Sequence, residues 1–219
     1  MNFFLSLTAR AIDILFPRTC SGCNKGGTFL CEDCITKIPR AEPPSNSFIT
    51  AIFSYRNPII RQTIWRFKYR NARGVARHFG GLLYDEIIGE ISDDLRIRSD
   101  ETFLLVPIPL HKKRLRERGY NQSELLAREI IKQDTEKMFS LLPNALIRTR
   151  ATNAQAKKEK REARFENLRG AFTANPALVR NKHIILIDDV TTTGATLSEA
   201  RKALLKAGAK TVRAYAVAH

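Results

Sequence analysis

The segment HIILIDDVTTTGATLSEARKALLKAGA, at residues 183–209, restricts the fold of this 219-residue chain more than any other feature. Four consecutive apolar residues at 184–187 predict a buried strand, and residues 197–207, before Gly208, predict a helix. Two carboxylates, Asp188 and Asp189, follow the strand. Open α/β sheets bind ligands at this end of their strands. The segment therefore predicts one unit of a parallel sheet with a ligand site at its edge.

A small hydroxyl-rich turn joins this strand to its helix. It consists of Thr191, Thr192, Thr193, Gly194, Ala195 and Thr196. Backbone N–H groups, hydroxyls and the positive end of the helix dipole can converge there on one phosphate, and Gly194 permits close approach. The carboxylates of Asp188 and Asp189 can accept hydrogen bonds from the vicinal hydroxyls of a ribose, and Mg²⁺ in the site would offset the charge of the ligand. A ribose 5-phosphate fits both features. In the alternative interpretation, the two carboxylates only end the strand or ligate a metal, and the threonines only cap the helix.

Strand and helix patterns alternate through most of the chain. Strands are predicted at residues 48–55, 103–109, 145–147 and 212–217, and helices at 58–68, 75–88 and 122–132. Near-continuous apolar strands alternating with helices predict an α/β fold, in which helices flank a mostly parallel sheet.

All four cysteines fall in the window CSGCNKGGTFLCEDC. They are Cys20, Cys23, Cys31 and Cys34, two C-x-x-C pairs separated by seven residues. Four thiolates at this spacing can enclose one Zn²⁺ and leave no open position for catalysis, so a structural zinc is predicted. The alternatives are two disulfides, which a chain without an export signal disfavours, and four unrelated buried thiols, which would not be expected to form two pairs within fifteen residues.

The chain has 37 Lys and Arg against 22 Asp and Glu, a net charge of +15, so a polyanionic partner is expected. Five of the basic residues cluster after the predicted strand at 103–109. They are Lys112, Lys113, Arg114, Arg116 and Arg118. They can neutralise a diphosphate or a nucleic-acid backbone, and Tyr120 is interpreted as a stacking platform for a base. The alternative is a basic, exposed helix start.

Two further segments combine charge with a binding hypothesis. Residues 148–169 contain a second basic cluster, with Lys157, Lys158 and Arg161, interpreted as a lid that closes over a polyanion. Trp65 and Phe67 alternate with basic residues in the helix predicted at 58–68. They either stack bases or lie on the inner face of an amphipathic helix.

The segment IILIDDVTTTGATL resembles the phosphoribosyl pyrophosphate signature of type I phosphoribosyltransferases. A resemblance to the ComF family of competence proteins covers nearly the whole chain. It is carried by FPRTCSGC with LCEDC, YRNPIIRQTIWRFKY, LLVPIPLHKKRLRERGYNQSELLARE and QAKKEKREARFENLRGAF. This resemblance implies a type I phosphoribosyltransferase-like domain behind a small zinc-ribbon-like module that holds the metal with four cysteines.

The resemblance also implies roles for particular residues. Asp188 and Asp189 hold the ribose and are the catalytic candidates, residues 191–196 hold the 5-phosphate, and the loop at 110–114 binds pyrophosphate with Mg²⁺. Lys68 matches a lysine of the family. The implied partners are phosphoribosyl pyrophosphate, single-stranded DNA and a competence helicase or other DNA-processing protein, in the handling of transforming DNA.

The expected organisation is a helix, zinc module and linker over residues 1–45, followed by a phosphoribosyltransferase-like domain over 46–219. Apolar residues at helical spacing predict the first helix within residues 1–15. No apolar run reaches the length of a membrane span, so a cytoplasmic protein is expected, at most peripheral at the inner membrane beside DNA-uptake machinery. Two functions compete with this one: a non-enzymatic DNA-binding adaptor and a phosphoribosyltransferase of nucleotide salvage.

Overall fold

The computed structural model describes residues 18–93, 102–149 and 168–219, so the helix predicted within residues 1–15 lies outside it. Within these ranges a five-stranded, all-parallel sheet has the order β1-β7-β6-β2-β3. Its strands are β1 Ile49–Phe53, β2 Phe103–Pro107, β3 Phe139–Leu141, β6 His183–Val190 and β7 Thr211–Ala218. A separate antiparallel pair consists of β4 Leu146–Arg148 and β5 Phe172–Ala174.

The helices cover both faces of the sheet. They are α1 Glu32–Ile35, α2 Pro58–Tyr69, α3 Val75–Asp93, α4 Lys112–Arg118, α5 Gln122–Gln133, α6 Pro176–Val179 and α7 Ala195–Lys206. Asn57 caps α2 by accepting hydrogen bonds from the N–H groups of Ile59 and Ile60, and Pro58 occupies the first turn, where no N–H is needed. No described helix has both the length and the apolar content needed to cross a membrane.

The predicted α/β fold is confirmed, with two differences in the strands. The short strand predicted at 145–147 is β4, which pairs with β5 and takes no place in the main sheet; its Ile147 is 56% exposed. The analysis of periodicity missed β3, because a three-residue strand with one fully buried residue, Phe139, is too short to show alternation.

Alternate side chains of the central strands pack into two separate cores. Ile185 and Ile187 of β6 point into the core that contains α3 and α5, whereas Ile184 and Leu186 point into the core that contains α7. Because both faces are buried, the strand is apolar without interruption until Asp188. The first carboxylates therefore appear where β6 reaches the edge of the sheet.

The cysteine-containing segment packs against α2 and the open edge of β1. Arg66 of α2 donates a hydrogen bond to the Thr19 carbonyl at 2.6 Å, and the Ala41 N–H donates to the carbonyl of Ile52 in β1 at 2.9 Å. An edge strand exposes unpaired backbone groups, and this contact covers part of them. The division at residues 45 and 46 stays a prediction.

Candidate functional site

The candidate site lies where the order of the sheet reverses. β2 and β6 are neighbours, with Pro107 opposite Ile187, but the chain leaves β2 toward β3 and leaves β6 toward β7, on opposite sides. Such a reversal opens a crevice at the carboxyl ends of the two strands, the usual ligand position in open α/β sheets. Helix α4 and the first turn of α5 border the crevice after β2, and the turn at residues 191–194 borders it after β6.

The acidic pair lies at the floor of this crevice. Asp188 Oδ1 accepts a hydrogen bond from the Ser123 hydroxyl at 3.1 Å and from the backbone N–H of Asp189 at 2.9 Å. Ser123 is positioned by Asn121, which caps α5 and also donates to the carbonyl of Ile108, the residue after β2. The start of α5 is thereby tied to both strand ends.

Asp188 has a strongly perturbed titration. Its pKa is raised from 3.8 to about 7, first by burial of the carboxyl group and second by the charge of Asp189. Lys68, the Asp189 N–H and the Ser123 hydroxyl act in the opposite direction. Two adjacent carboxyl groups that are both removed from water repel each other when both are ionised. A cation or a hydrogen-bond donor beside this pair therefore stabilises it.

Lys68 provides one such cation. Its Nζ lies 2.9 Å from Asp189 Oδ1, and both side chains are largely buried. Asp189 Oδ2 is buried without a hydrogen-bond partner in the described residues. A buried carboxylate oxygen normally has a partner, which makes Oδ2 an acceptor suited to a ligand hydroxyl. The structure thus brings Lys68, which lies far earlier in the chain, against the acidic pair.

The turn after β6 is narrow and has a left-handed glycine at its end. Gly194 begins α7 with φ of +73°, and a Cβ at this position would lie 2.5 Å from Asn46 Nδ2. The Thr193 hydroxyl accepts from the N–H of Ala195 at 3.4 Å. A cavity of about 190 Å³ opens beside the turn; Pro44, Ser45, Asn46, Thr192, Thr193, Gly194 and His219 line it. The Pro-rich linker therefore also forms a wall of the candidate site.

The segment after β2 differs from the predicted loop. Residues 112–118 form the helix α4, which ends at Gly119 with φ of +75°, so the expectation of a pyrophosphate loop at 110–114 is corrected to a short loop followed by a helix. Its basic side chains are exposed or half-buried, and Arg118 donates to Gln122 Oε1 at 2.9 Å. The alternative of a basic helix start describes its secondary structure correctly.

Arg148, a residue of the antiparallel strands, lies within electrostatic range of both Arg114 and Asp188. The pKa of Arg148, at the end of β4, is lowered by burial and next by the charge of Arg114, and Asp188 acts in the opposite direction. Because electrostatic interactions weaken with distance, Arg148 belongs to the same region of the molecule as Asp188. This region combines cations for a polyanion with carboxylates for hydroxyls.

Tyr120 does not provide the predicted stacking platform. It is 8% exposed, and its ring packs against Phe67, with ring centroids 6.1 Å apart. Its hydroxyl donates to the Phe67 carbonyl, and the Arg73 guanidinium lies 4.7 Å from the ring centroid. Because the residue is buried, its ring has no exposed face that could receive a base. Lys157, Lys158 and Arg161, with the proposed lid, lie outside the described residues.

Three residues of the site escaped the sequence analysis. Ser123 and Asn46 contact the acidic pair and the turn, and Arg148 was noted only as part of a basic run. The position of Ser123 in the first turn of a helix indicated that its side chain could reach a neighbouring element, because helical side chains tilt toward the N-terminal end. The partner of Ser123, 65 residues away, was not predictable from that position.

The four cysteines converge as their spacing predicts. Their Sγ atoms all lie within 4.8 Å of one another, and Cys31 Sγ is 3.6 Å from both Cys20 Sγ and Cys23 Sγ. A tetrahedron with metal–sulfur bonds of about 2.3 Å has edges of about 3.8 Å. Gly22 is required for this approach, because a Cβ there would lie 2.7 Å from Cys34 Sγ. The cluster can hold a metal ion.

The electrostatics of the cluster agree with a bound cation. Burial opposes ionisation of Cys20, yet backbone N–H donors of Cys23, Cys31 and Gly22 lower its pKa to about 6. The pKa of Cys34 is raised to about 12, first by its hydrogen bond with Cys31 and then by burial. One thiolate is stabilised by backbone dipoles, and further thiolates beside it need a positive charge.

Comparison with known proteins agrees with this geometry. The phosphoribosyl transferase domain family matches residues 124–219, which contain most of α5, the acidic pair, the turn and β7. The fold, the matched domain and the four-cysteine cluster define a phosphoribosyltransferase-like protein with an N-terminal cysteine module.

Several individual relatives match most of this chain. Competence protein ComFC of Bacillus subtilis is 33% identical over 163 residues, 72% of this chain and 58% of that protein. Competence protein F of Haemophilus influenzae is 29% identical over 192 residues, 86% of this chain and 77% of that protein. DNA utilization protein YhgH of Escherichia coli is 29% identical over 191 residues, 84% of this chain and 75% of that protein. The chain is therefore similar to the competence and DNA utilization proteins of the ComF type over most of its length, and it spans 58% of the length of ComFC.

Proposed function

We propose that the crevice between β2 and β6 binds phosphoribosyl pyrophosphate, and that the basic surface beside it binds single-stranded DNA during the handling of transforming DNA in the cytoplasm. The observation that carries the proposal is the arrangement at one strand end, where Asp188 and Asp189 adjoin the turn at residues 191–196. The competence and DNA utilization names of the relatives support the DNA-handling role.

The 5-phosphate binds at the turn. The first N–H groups of α7 lack intrahelical acceptors and point out of the helix end, where the dipole favours negative charge. Gly194 has no Cβ that would narrow the turn, and the threonine hydroxyls add donors. The cavity of about 190 Å³ gives the phosphate a defined position against the Pro44 to Asn46 wall.

The ribose binds beside the acidic pair. Asp189 Oδ2 is buried without a partner in the described residues and accepts a hydrogen bond from one ribose hydroxyl. Asp188, held by Ser123, accepts from the second hydroxyl. In a transfer reaction the bond between C1 of the sugar and the diphosphate oxygen breaks, its electron pair leaves with the diphosphate, and an acceptor nucleophile forms the new bond to C1. The two carboxylates stabilise the positive charge that develops on the ring.

The diphosphate binds on the side of the crevice that α4 borders. Arg148 lies within electrostatic range of Asp188 and of Arg114 on α4, so this pair of guanidinium groups is suited to the charged end of a ligand whose ribose contacts the acidic pair. Lys68 already neutralises part of the charge of Asp189. Mg²⁺, when bound with the ligand, supplies the charge compensation that two carboxylates and a diphosphate require, and oxygen donors of this kind suit it.

The four-cysteine cluster binds Zn²⁺ in a structural role. Its S···S distances fit a tetrahedral sulfur shell, and four protein ligands leave no position for a reacting water. Reduced thiols as metal ligands also fit a cytoplasmic protein. Because Cys20, Leu30 and Cys31 belong to the same core as Phe67 of α2, the metal stabilises the surface on which α2 rests.

Calorimetry with phosphoribosyl pyrophosphate, with and without Mg²⁺, tests the sugar-phosphate site. We expect saturable binding by the wild type and a loss of at least about 100-fold in Asp188→Asn/Asp189→Asn, because hydrogen bonds to charged groups contribute about 1.5–3 kcal/mol each. Asp33→Asn/Asp85→Asn removes the same charge at exposed positions on α1 and α3 and is expected to bind as the wild type does. No binding by a folded, zinc-loaded wild type contradicts the proposal.

Fluorescence anisotropy with a labelled single-stranded oligonucleotide tests the DNA site separately. Removal of two negative charges from the crevice is expected to leave DNA affinity intact or to raise it, so Asp188→Asn/Asp189→Asn distinguishes the two sites. A marked loss of DNA affinity in this variant, with an unperturbed fold, shows that sugar phosphate and DNA share one site.

A further inference from the structure

The outer face of α2 is unusual for an amphipathic helix. Its inner face buries Ile60, Thr63, Ile64 and Phe67. On the outer face, Trp65 is 45% exposed and Tyr69 is 60% exposed. Large aromatic side chains are usually mostly buried, so two of them one helical turn apart in solvent call for a functional explanation. The two aromatic residues that the sequence analysis singled out in this helix are thus divided: Phe67 lies inside and Trp65 outside.

Arginine side chains accompany both exposed rings. The Arg70 guanidinium lies 5.2 Å from the Trp65 ring centroid, and the Arg118 guanidinium lies 5.2 Å from the Tyr69 ring centroid. The two rings are neighbours, with centroids 6.1 Å apart and planes at 47°. Each ring therefore combines an exposed aromatic surface with a cation that has hydrogen-bond donors for a phosphate.

The positive charge of the outer face of α2 favours a polyanionic partner. Helix α2 contains no Asp or Glu, and Arg61, exposed four residues before Trp65, extends the row of Arg61, Trp65 and Tyr69 along one side. Double-stranded DNA keeps the faces of its bases stacked inside the helix, whereas a single strand presents both base faces and phosphates. Aromatic rings interleaved with arginines match a single strand in both respects.

The same helix connects this face to the crevice. Lys68, next to Tyr69, forms the ion pair with Asp189, and Arg118 reaches Tyr69 from the end of α4. Arg73, which follows α2, also lines a cavity of about 850 Å³ beside Arg18, Arg77 and the cysteine module. A nucleic-acid strand bound along α2 therefore has the basic residues of α4 on one side and the arginines of this cavity on the other.

We propose that Trp65 and Tyr69 form a stacking platform for bases of a single-stranded polynucleotide, and that Arg70 and Arg118 bind the adjoining phosphates. The inference rests on the proposed DNA binding and assigns it a position that excludes Tyr120. The basic residues of α4 supply attraction without regard to sequence, and the two rings supply the preference for unpaired bases.

Trp65 is the only tryptophan of the chain, so its emission reports directly on the platform. We expect oligothymidylate of about 20 nucleotides, longer than a typical single-strand site, to quench the emission as it binds. An abasic oligonucleotide of equal length and charge is expected to bind more weakly with little quenching. Trp65→Ala and Tyr69→Ala are each expected to lower oligothymidylate affinity about 5-fold to 150-fold, the range for loss of one stacked base. Trp65→Phe is expected to retain most of the affinity.

Leu205→Ala is the matched control, since Leu205 is 37% exposed on α7, away from the platform. Thermal unfolding of each variant checks the fold, which exposed side chains should not disturb. The platform proposal is wrong if the protein binds oligothymidylate and the abasic strand equally well, if Trp65→Ala and Tyr69→Ala leave the affinity unchanged, and if the emission stays constant. DNA binding itself would still stand in that case. Failure of the wild type to bind any oligonucleotide overturns both DNA binding and the platform, and the calorimetric result with phosphoribosyl pyrophosphate remains independent of it.

Discussion

The two sides of the crevice are built on opposite principles. The acidic side, Asp188, Asp189 and residues 191–196, is a continuous stretch of chain with the backbone held in the sheet and in the start of α7. The basic side, α4 with the outer face of α2, consists mainly of exposed side chains from two distant segments. Buried, directional groups can select one small ligand, whereas exposed cations attract any polyanion. We therefore expect the acidic side to discriminate between small ligands, and the cations of the basic side to attract polyanions in general.

Loss of the metal cluster is expected to have the largest effect on stability and to lower ligand binding on the two sides of the crevice by different amounts. Cys31→Ser should lower the free energy of unfolding by about 3 kcal/mol or more, because metal binding is coupled to folding in small modules. The module supports α2 through Arg66 and Thr19, so oligonucleotide affinity should fall more than phosphoribosyl pyrophosphate affinity. Urea unfolding and the two binding assays measure this, with Ser21→Ala as the control. Equal losses on both sides contradict the comparison.

Two glycines allow the next test, since each has a positive φ on one side of the crevice. Gly194→Ala places a Cβ 2.5 Å from Asn46, whereas Gly119→Ala meets nothing within 4 Å. Both changes incur about 1–2 kcal/mol for left-handed backbone, and Gly194→Ala should cost about 1–3 kcal/mol more from crowding. Thermal unfolding measures the difference, and calorimetry should show that phosphoribosyl pyrophosphate binding is lost only in Gly194→Ala. Similar stabilities of the two variants refute the crowding argument.

Salt dependence separates the sides more finely. Lys112→Gln/Lys113→Gln should reduce oligonucleotide affinity several-fold at low salt and lower the slope of log affinity against log salt by about 1.4, since each single-strand phosphate contact contributes about 0.7. The exposed pair on α7 gives the control Lys202→Gln/Lys206→Gln, for which the slope should be unchanged. Anisotropy titrations over a series of salt concentrations provide the slopes. If the control lowers the slope equally, net charge and not α4 determines binding.

Asp188 also makes the stability of the acidic side depend on pH. Its pKa is about 7 in the folded protein and near 3.8 when unperturbed, so the folded state binds more protons between these values. Its contribution to stability is present below about pH 4 and is lost as pH rises through about 7. Asp188→Asn should remove this decline, and Lys68→Met should extend it to higher pH, because Lys68 opposes the rise in pKa. Urea midpoints at about pH 5 and about pH 8 measure the change, with Asp85→Asn as the control that should retain the decline.

Two sites were predictable because their residues are contiguous. The strand, acidic pair, turn and helix at residues 183–208 follow one another in the chain, so apolar periodicity and turn chemistry define their relative positions. The four cysteines fall within one short window and meet within 4.8 Å for the same reason. In both cases the local chain geometry leaves little for the rest of the fold to decide.

Tyr120 illustrates where a local pattern misleads. Its position after a basic run indicated an exposed stacking residue, yet it is buried against Phe67, 53 residues earlier in the chain. Trp65 had two equally permitted orientations in its helix and lies outside. Helix periodicity groups residues by face, but only packing decides which face meets the core and which neighbouring side chains cover it.

The α/β class, the cysteine cluster and the strand–turn–helix with its acidic pair could be predicted from the residues, because each depends on interactions between residues close in the chain. The folded chain was needed to show that β2 and β6 are neighbours, that Lys68 pairs with Asp189, and that Ser123 and Arg148 lie near Asp188. These contacts depend on strand order and helix packing, which bring together residues that are far apart in the chain. Their energies arise from burial and proximity, and neither is a property of any short segment.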